Sequence, residues 1–424
     1  MKRRYFLLIF TLAVIAAFPV RAYAAPAREL TYIVEYELIS GRGEPFVLFD
    51  GNRLTTYHSG GGDVIRLTAP ESIAQLYLVW GMPPGPWHVS ADDVETHGGQ
   101  HGFIHEYIAL DNPAEVIYII LPTQLFALHD IFLFGEGETP FWVEKWEPPL
   151  ESADLLLLPA RSGDEFSFFG GVLPYYAGER GLGVQVAYLG GHWYEPFRVH
   201  EMLFGLWEMG VRNYPIIPMA AHNTEEELTD YLAGLLRRFK PQVAVSHGWG
   251  DELQTMGGRA LVSAAQRSAD ADFHPESAAE FGVWDLPKAY LHLYREDQIT
   301  IDWDIYLPSF GMTASQAAEL GFSFHVSQHA LTEEPPNTTV FGLVHTTVGA
   351  DITGGCFFEN TAAQLEPLHT PEEEEIEEPP PPDDNAEEEP APDPSPEITR
   401  YIYIVVASFL VIVIAAVLII NKVR

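Results

Sequence analysis

The run from Leu155 to Gly171, LLLLPARSGDEFSFFGG, places two carboxylates, Asp164 and Glu165, in a turn that follows four consecutive leucines. An apolar run of this kind reads as a strand buried on both faces, and such strands deliver polar groups to the edge of a parallel sheet, where ligands are held. Two later stretches carry groups of the same sort: Arg198 and Glu201 in RVHE, and His247 at the end of QVAVSH, just ahead of GWGDELQTMGG. Carboxylates beside an imidazole suit metal ligation, proton transfer or recognition of sugar hydroxyls. Each also has a plainer role. Asp164 and Glu165 fit the first turn of a helix, where carboxylates offset unpaired N–H groups. A histidine ending a strand often serves as a hydrogen-bonded polar residue, and Arg198 and Glu201 stand at a spacing that lets them pair on successive helical turns.

The elements that must position these groups follow from the pattern. Between 28 and 148, short apolar or alternating runs recur (LTYIVEYEL, PFVLFD, DVIRLTA, IAQLYLVW, GFIHEYIAL, EVIYIILP, LHDIFLFGEG), separated by Gly, Pro, Asn and Asp. That spacing predicts a β-sandwich. Trp80, Trp87, Tyr57 and Trp142 offer either a sugar-stacking surface or core packing. The closing stretch FLFGEGETPFWVEKWEPP resembles the exit of a discoidin-like, galactose-binding sandwich. From Ala153 onward strands alternate with helices: LLLL, a helix near Phe168 to Ala177, GVQVAYL, helices at Arg198 to Met209 and Thr224 to Phe239, QVAVSH, a helix at Gly258 to Ala269, KAYLHLY, and a helix at Thr313 to His325. Such alternation predicts a mostly parallel sheet covered on both faces. The loops 161–165, 190–198 and 247–257 then share one edge.

Those three loops, in that order, resemble the PIG-L/LmbE family of zinc-dependent de-N-acetylases acting on N-acetylglucosaminyl conjugates. The resemblance rests on ADLLLLPARSGDEFSFFGGVLPYYAGE, RVHE, VSHGWGDELQTMGG, HPESAAEFGVWDLPKAYLHLY and IDWDIYLPSFGMTASQAAELGFSFHVSQ. It implies metal-assisted amide hydrolysis, with zinc held by His and Asp, a carboxylate as general base and a His near the oxyanion. It also implies where this chain departs from the family. The first metal His falls on Arg161, which has no lone pair to give, and the general-base carboxylate falls on Gly163. Asp164 and the following Glu165 remain. The later His pair falls on Gln254 and Gly257. Arg161 then brings a guanidinium to the place of the metal, where it can satisfy Asp164 as a salt bridge. Arg198, Glu201 and His247 stand as substrate-side candidates. If a metal site exists, Asp164 and His247 are its candidate ligands, with His192 or His200 as a third.

The ends of the chain and its charge bound the rest. Lys2, Arg3 and Arg4, an apolar run and Ala22-Tyr23-Ala24 read as a signal peptide over 1–24. Residues 371–397 lack Lys and Arg and are dense in Pro and Glu, which predicts a disordered stalk. Tyr401 to Ile420 is uncharged and about 30 Å long as a helix, which predicts a single transmembrane helix with a cytoplasmic tail at 421–424. The localisation expected is therefore a cell membrane, single-pass, with the bulk of the chain outside. A formal net charge of −37 excludes nucleic acid as a natural partner. The single cysteine, Cys356, excludes an intrachain disulfide.

The expected class is α/β: a Rossmann-like, mostly parallel PIG-L/LmbE-like sheet over 150–365, preceded by an all-β, galactose-binding-like sandwich over 28–148 and followed by the membrane helix. Three functions compete. The first is a non-catalytic relative that binds a glycan or another cell-surface polymer and needs no cofactor. The second is an active de-N-acetylase whose zinc site is rebuilt around Asp164 and His247. The third is a structural or partner-binding surface protein.

Overall fold

The computed structural model describes residues 25–365, apart from 53, 60, 192, 194 and 329–336. These residues belong to one compact unit that holds two large sheets.

The first sheet comprises β1 (Glu35–Ser40), β2 (Tyr57–Ser59), β3 (Val64–Trp80), β4 (Trp87–Ala91), β5 (Val94–Gly98), β6 (His105–Ile120) and β7 (Phe126–Phe134). Its order is β2-β7-β3-β6-β4-β5, with β1 also on β3, and every pairing is antiparallel. The expected two separate sheets are in fact one continuous sheet. The long strand β3 changes partner midway, and its pairing with β6 shifts register between Thr68, Ile73 and Gln75. The first half of β3 pairs with β1 and the second half with β7. Residues Ile65, Leu67 and Ala69 alternate inward, whereas 73–80 are buried on both faces. The second face of that half is covered by the segment after β7, where Tyr77, Val79, Phe134 and Val143 form a separate small core with Trp142. Trp80, Trp87 and Tyr57 are buried, and Trp80 meets Trp87 with ring centroids 5.8 Å apart. These aromatics are core, so they do not form the sugar-stacking surface.

The second sheet comprises β8 (Leu155–Leu157), β9 (Val184–Val186), β10 (Val243–His247), β11 (Lys288–His292), β12 (Gln298–Thr300) and β15 (Val340–Thr346), with a small hairpin of β13 (Tyr306–Leu307) and β14 (Met312–Thr313) beside it. Its order is β12-β15-β11-β10-β8-β9. The strands β9, β8, β10 and β11 are parallel; β15 and β12 run antiparallel at one edge. The helices are α1 (Asp164–Ser167), α2 (Pro196–Glu208), α3 (Glu225–Phe239), α4 (Glu252–Arg267), α5 (Pro275–Phe281) and α6 (Ala314–Ser323), with a π-helical turn at Leu173–Glu179.

The leucine strand shows how the layers arise. Successive strand residues point to opposite faces, so Leu155 and Leu157 join one core with Phe169, Tyr176, Met202 and Leu206. Leu156 and Leu158 join another with Leu232, Leu236, Leu261 and Ala264. Every residue of β8, β9, β10 and β11 is buried for this reason. Helix α4 lies close on the sheet because it carries two glycines: a Cβ at Gly257 would run into Leu189, and one at Gly258 into the His247 carbonyl.

The expected class needs correction. The chain is sheet-rich, with a wholly antiparallel first sheet and a mixed second one in place of a mostly parallel Rossmann-like sheet behind a sandwich. Where a helix was expected near Phe168 to Ala177, the π-helical turn begins only at Leu173, and α1 ends ahead of that range at Ser167; Gly170 between them has φ +53. Among the described residues no helix is long and apolar enough to cross a membrane. Tyr401 to Ile420 lie outside the described residues, as do 1–24, 371–397 and 421–424. Neither the transmembrane helix nor the single-pass location is retained.

Candidate functional site

Because β8, β10 and β11 are parallel, their C-terminal ends bring the 158–165 turn, His247 and His292 to one edge. Gly163 makes the turn into α1 with φ +95, a left-handed conformation that suits glycine. Its N–H donates to Glu165 Oε2 at 2.8 Å. A Cβ built at 163 would stand 2.8 Å from Gln328 Oε1. The position implied for a general-base carboxylate therefore has neither the backbone nor the room for one, and the Gln328 amide stands over it.

Asp164 is buried and does not meet the Arg161 guanidinium. Its Oδ2 accepts the Arg161 backbone N–H at 3.0 Å and the Gln254 Nε2–H at 3.1 Å. The Arg161 guanidinium instead pairs with Asp251. Asp251 caps α4, accepting N–H from Leu253 (3.0 Å) and Gln254 (3.2 Å), and Gln254 Oε1 returns the bond to the Asp251 N–H at 2.8 Å. Against the upward push of burial, the hydrogen bonds from Arg161 and from Gln254 N–H hold the Asp251 carboxyl below its usual value. The expectation that Arg161 stands in for the metal beside Asp164 is thus wrong; a neutral amide reaches that carboxylate.

His247 is fully buried, with its ring against Phe168 and Phe169 at centroid distances of 4.9 and 4.7 Å. Its Nε2 accepts the Ala160 N–H at 3.1 Å and lies 3.4 Å from Asp164 Oδ2. The neutral ring then carries its hydrogen on Nδ1. On the next strand His292 gives Nε2–H to the Asn337 carbonyl at 2.6 Å. Burial lowers its pKa to about 4, against that hydrogen bond, so it is neutral at pH 7.

A second polar row lies behind α1, and of its members the sequence pattern singled out Glu165 alone. Glu165 is fully buried, with Oε1 3.3 Å from His325 Nε2. His325 Nδ1 faces Ser162 Oγ at 3.3 Å and Gln328 Nε2 at 3.2 Å. The order Ser162, His325, Glu165 has the form of a nucleophile, base and acid. Ser162, however, is 1 % exposed and gives its hydroxyl to the Arg198 carbonyl at 3.1 Å, so the row ties α1, α2 and the 325–328 turn together. Burial first, then the Glu165 and Asp164 charges, raise the Tyr188 phenol well above its ordinary value. The signal for this row was the late helix ending FSFHVSQ, whose histidine is buried.

The substrate-side candidates separate. Arg198 Nε pairs with Glu195 at 3.1 Å, while Glu201 accepts Ser327 N–H (2.8 Å) and Oγ–H (2.6 Å). They do not pair with each other. His200 turns toward the first sheet, and His192 lies outside the described residues. Trp249, on the loop after β10, and Phe197, in the first turn of α2, are exposed.

Zinc does not fit this donor set. Asp164 Oδ2 and His247 Nε2 are both engaged by protein N–H groups, Gln254 turns its nitrogen inward because its oxygen is held by Asp251, and Gly257 faces Leu189. Among the described residues no group of three or more His, Cys, Asp or Glu side chains is placed to hold a metal ion.

No family model matches the chain, and no curated protein matches it in sequence. Solved structures similar to it include the N,N'-diacetylchitobiose deacetylase of Pyrococcus horikoshii, at 15% identity over 42% of this chain and 72% of that one, with a TM-score of 0.34. A conserved protein of Thermus thermophilus matches at 18% identity over 42% of this chain and 81% of its own, with a TM-score of 0.31. A carbohydrate-binding module of Clostridium perfringens, solved with GlcNAc-α-1,4-galactose, matches at 9% identity over 27% of this chain and 99% of its own, with a TM-score of 0.23. At these scores the likenesses carry no argument about activity.

Proposed function

We propose that the chain is a distant PIG-L/LmbE-type relative that binds a glycan at the edge formed by β8, β10 and β11 without cleaving it. The observation that carries this reading is the engagement of the two candidate donor atoms that lie closest to each other, 3.4 Å apart: Asp164 Oδ2 by Arg161 N–H and Gln254, and His247 Nε2 by Ala160 N–H. Replacement of a general base by Gly163 points the same way. The half-buried Arg198 supplies donors for hydroxyl or acetamido groups, and the exposed Trp249 and Phe197 supply faces on which a sugar ring can stack. The acidic chain disfavours a polyanionic ligand.

Two measurements on the purified full chain test this. Zinc content and acetate release from N-acetylated sugars distinguish a binder from an amide hydrolase; stoichiometric zinc with chelator-sensitive acetate release would replace the binding reading with the hydrolytic one. Binding to a glycan array separates the same reading from a purely structural surface protein, since a silent array contradicts it.

A further inference from the structure

His105, the first residue of β6, and Glu144, in the segment after β7, are both fully buried, and His200 on α2 is nearly so. Glu144 Oε2 stands 2.8 Å from His105 Nδ1, and His105 Nε2 stands 2.7 Å from His200 Nδ1. The two imidazoles stack at 4.9 Å with 19° between their planes. We propose that Glu144, His105 and His200 form an acid-sensitive bolt that holds α2 against the first sheet, and that this bolt fixes the helix that carries Arg198 and Glu201.

Hydrogen counting carries the argument. Glu144 accepts, so neutral His105 carries its hydrogen on Nδ1 and presents a lone pair from Nε2. Neutral His200 then donates from Nδ1, which leaves Nε2 as its unprotonated nitrogen. One added proton leaves the chain of bonds intact, and Glu144 offsets its charge. A second must place hydrogens on both facing nitrogens, which are 2.7 Å apart, and the rings cannot stay in contact. Once parted, both rings can be charged. The parted state thus binds one proton more than the docked state, so acid favours parting.

Among the described residues the one ion-pair partner of Glu144 is His105, so no second cation takes over the work there. Tyr77 gives its hydroxyl to Glu144 Oε1 at 3.3 Å and Trp146 gives Nε1–H to Oε2 at 2.7 Å. Burial raises the Tyr214 phenol, against the hydrogen bond that it accepts from Ile104 N–H, and the nearby Glu144 and Glu106 charges add to the rise. Glu106, next to His105 on β6, is occupied by Trp80, Trp87 and Gly99. From β7, His129 sets its ring 5.6 Å from His200 and holds Thr55 and Thr56 through Nδ1. From α2, Phe204 covers His105 at 5.2 Å.

Amide hydrogen exchange of the full chain at pH 7, 6 and 5, corrected for intrinsic rates, tests the bolt. The expected result is that protection of 200–208 falls more steeply from pH 7 to pH 5 than that of Val243–His247, which follows the stability of the whole fold. His200→Asn should flatten the response. Its side-chain amide can donate to His105, or accept from it after flipping, and takes up no proton itself. If that variant does not fold, Glu144→Gln, which removes the offsetting charge, should move the loss of protection to higher pH. Wild-type protection of 200–208 that ignores pH, or that falls together with Val243–His247, overturns the proposal whatever the variants do.

Discussion

The Arg161 guanidinium turns away from Asp164 and pairs with Asp251 at the start of α4, and this relationship decides the chemistry of the edge. It leaves Asp164 to a backbone N–H and the Gln254 amide, so the carboxylate is satisfied by neutral donors. Gln254→Ala removes one of them and one side of the capping box. The expected loss is about 1–2 kcal/mol in urea unfolding. Gln254→Glu should cost more, because it sets a second carboxylate against Asp164.

Gly163 is held at φ +95 under Gln328. Gly163→Asp, which restores a carboxylate where the family resemblance implies a general base, should destabilise the fold by about 1–3 kcal/mol and lower the melting temperature. It should not bring acetate release, since among the described residues no group of side chains is placed to hold the metal it would serve. Acetate production by this variant would show that the site is one residue away from activity.

How far the sequence could be read depends on which interactions are local. Buried strands announce themselves as apolar runs, so LLLL, QVAVSH and KAYLHLY all stand as strands. The antiparallel edge β15–β12 was not legible, because VFGLVHT carries no signal for direction; its partner is β11, some fifty residues earlier in the chain. At the site, D-E-L-Q has the spacing of a capping box, which is how Asp251 and Gln254 act. Aligning that stretch on a metal-binding pattern identified Gln254 as a lost ligand but missed its reach to Asp164. The row of Ser162, His325 and Glu165 spans more than 160 residues, and no spacing rule connects such partners.

His292 makes stability depend on pH. Its folded pKa, about 4, lies below the ordinary value of about 6.5, so the unfolded chain binds the extra proton. Its contribution to stability is therefore fully present above about pH 6.5 and is lost as pH falls toward 4, by roughly 3 kcal/mol in total. Urea unfolding at pH 7 and pH 4.5 should show this loss, and His292→Gln should reduce it. An equal loss in the variant would place the acid sensitivity elsewhere.

Among the described residues Arg198 pairs with Glu195, on the near side of the edge. Arg198→Ala should weaken glycan binding about tenfold, equivalent to about 1.4 kcal/mol, with the melting temperature close to that of the wild type. Binding that is unchanged would remove Arg198 from the ligand's path.

The most direct test is elemental analysis of the purified chain after incubation with zinc and removal of the excess. Engagement of Asp164 and His247 by protein N–H groups predicts far less than one zinc per chain. One tightly held zinc per chain, lost in Asp164→Ala and in His247→Ala, would contradict it.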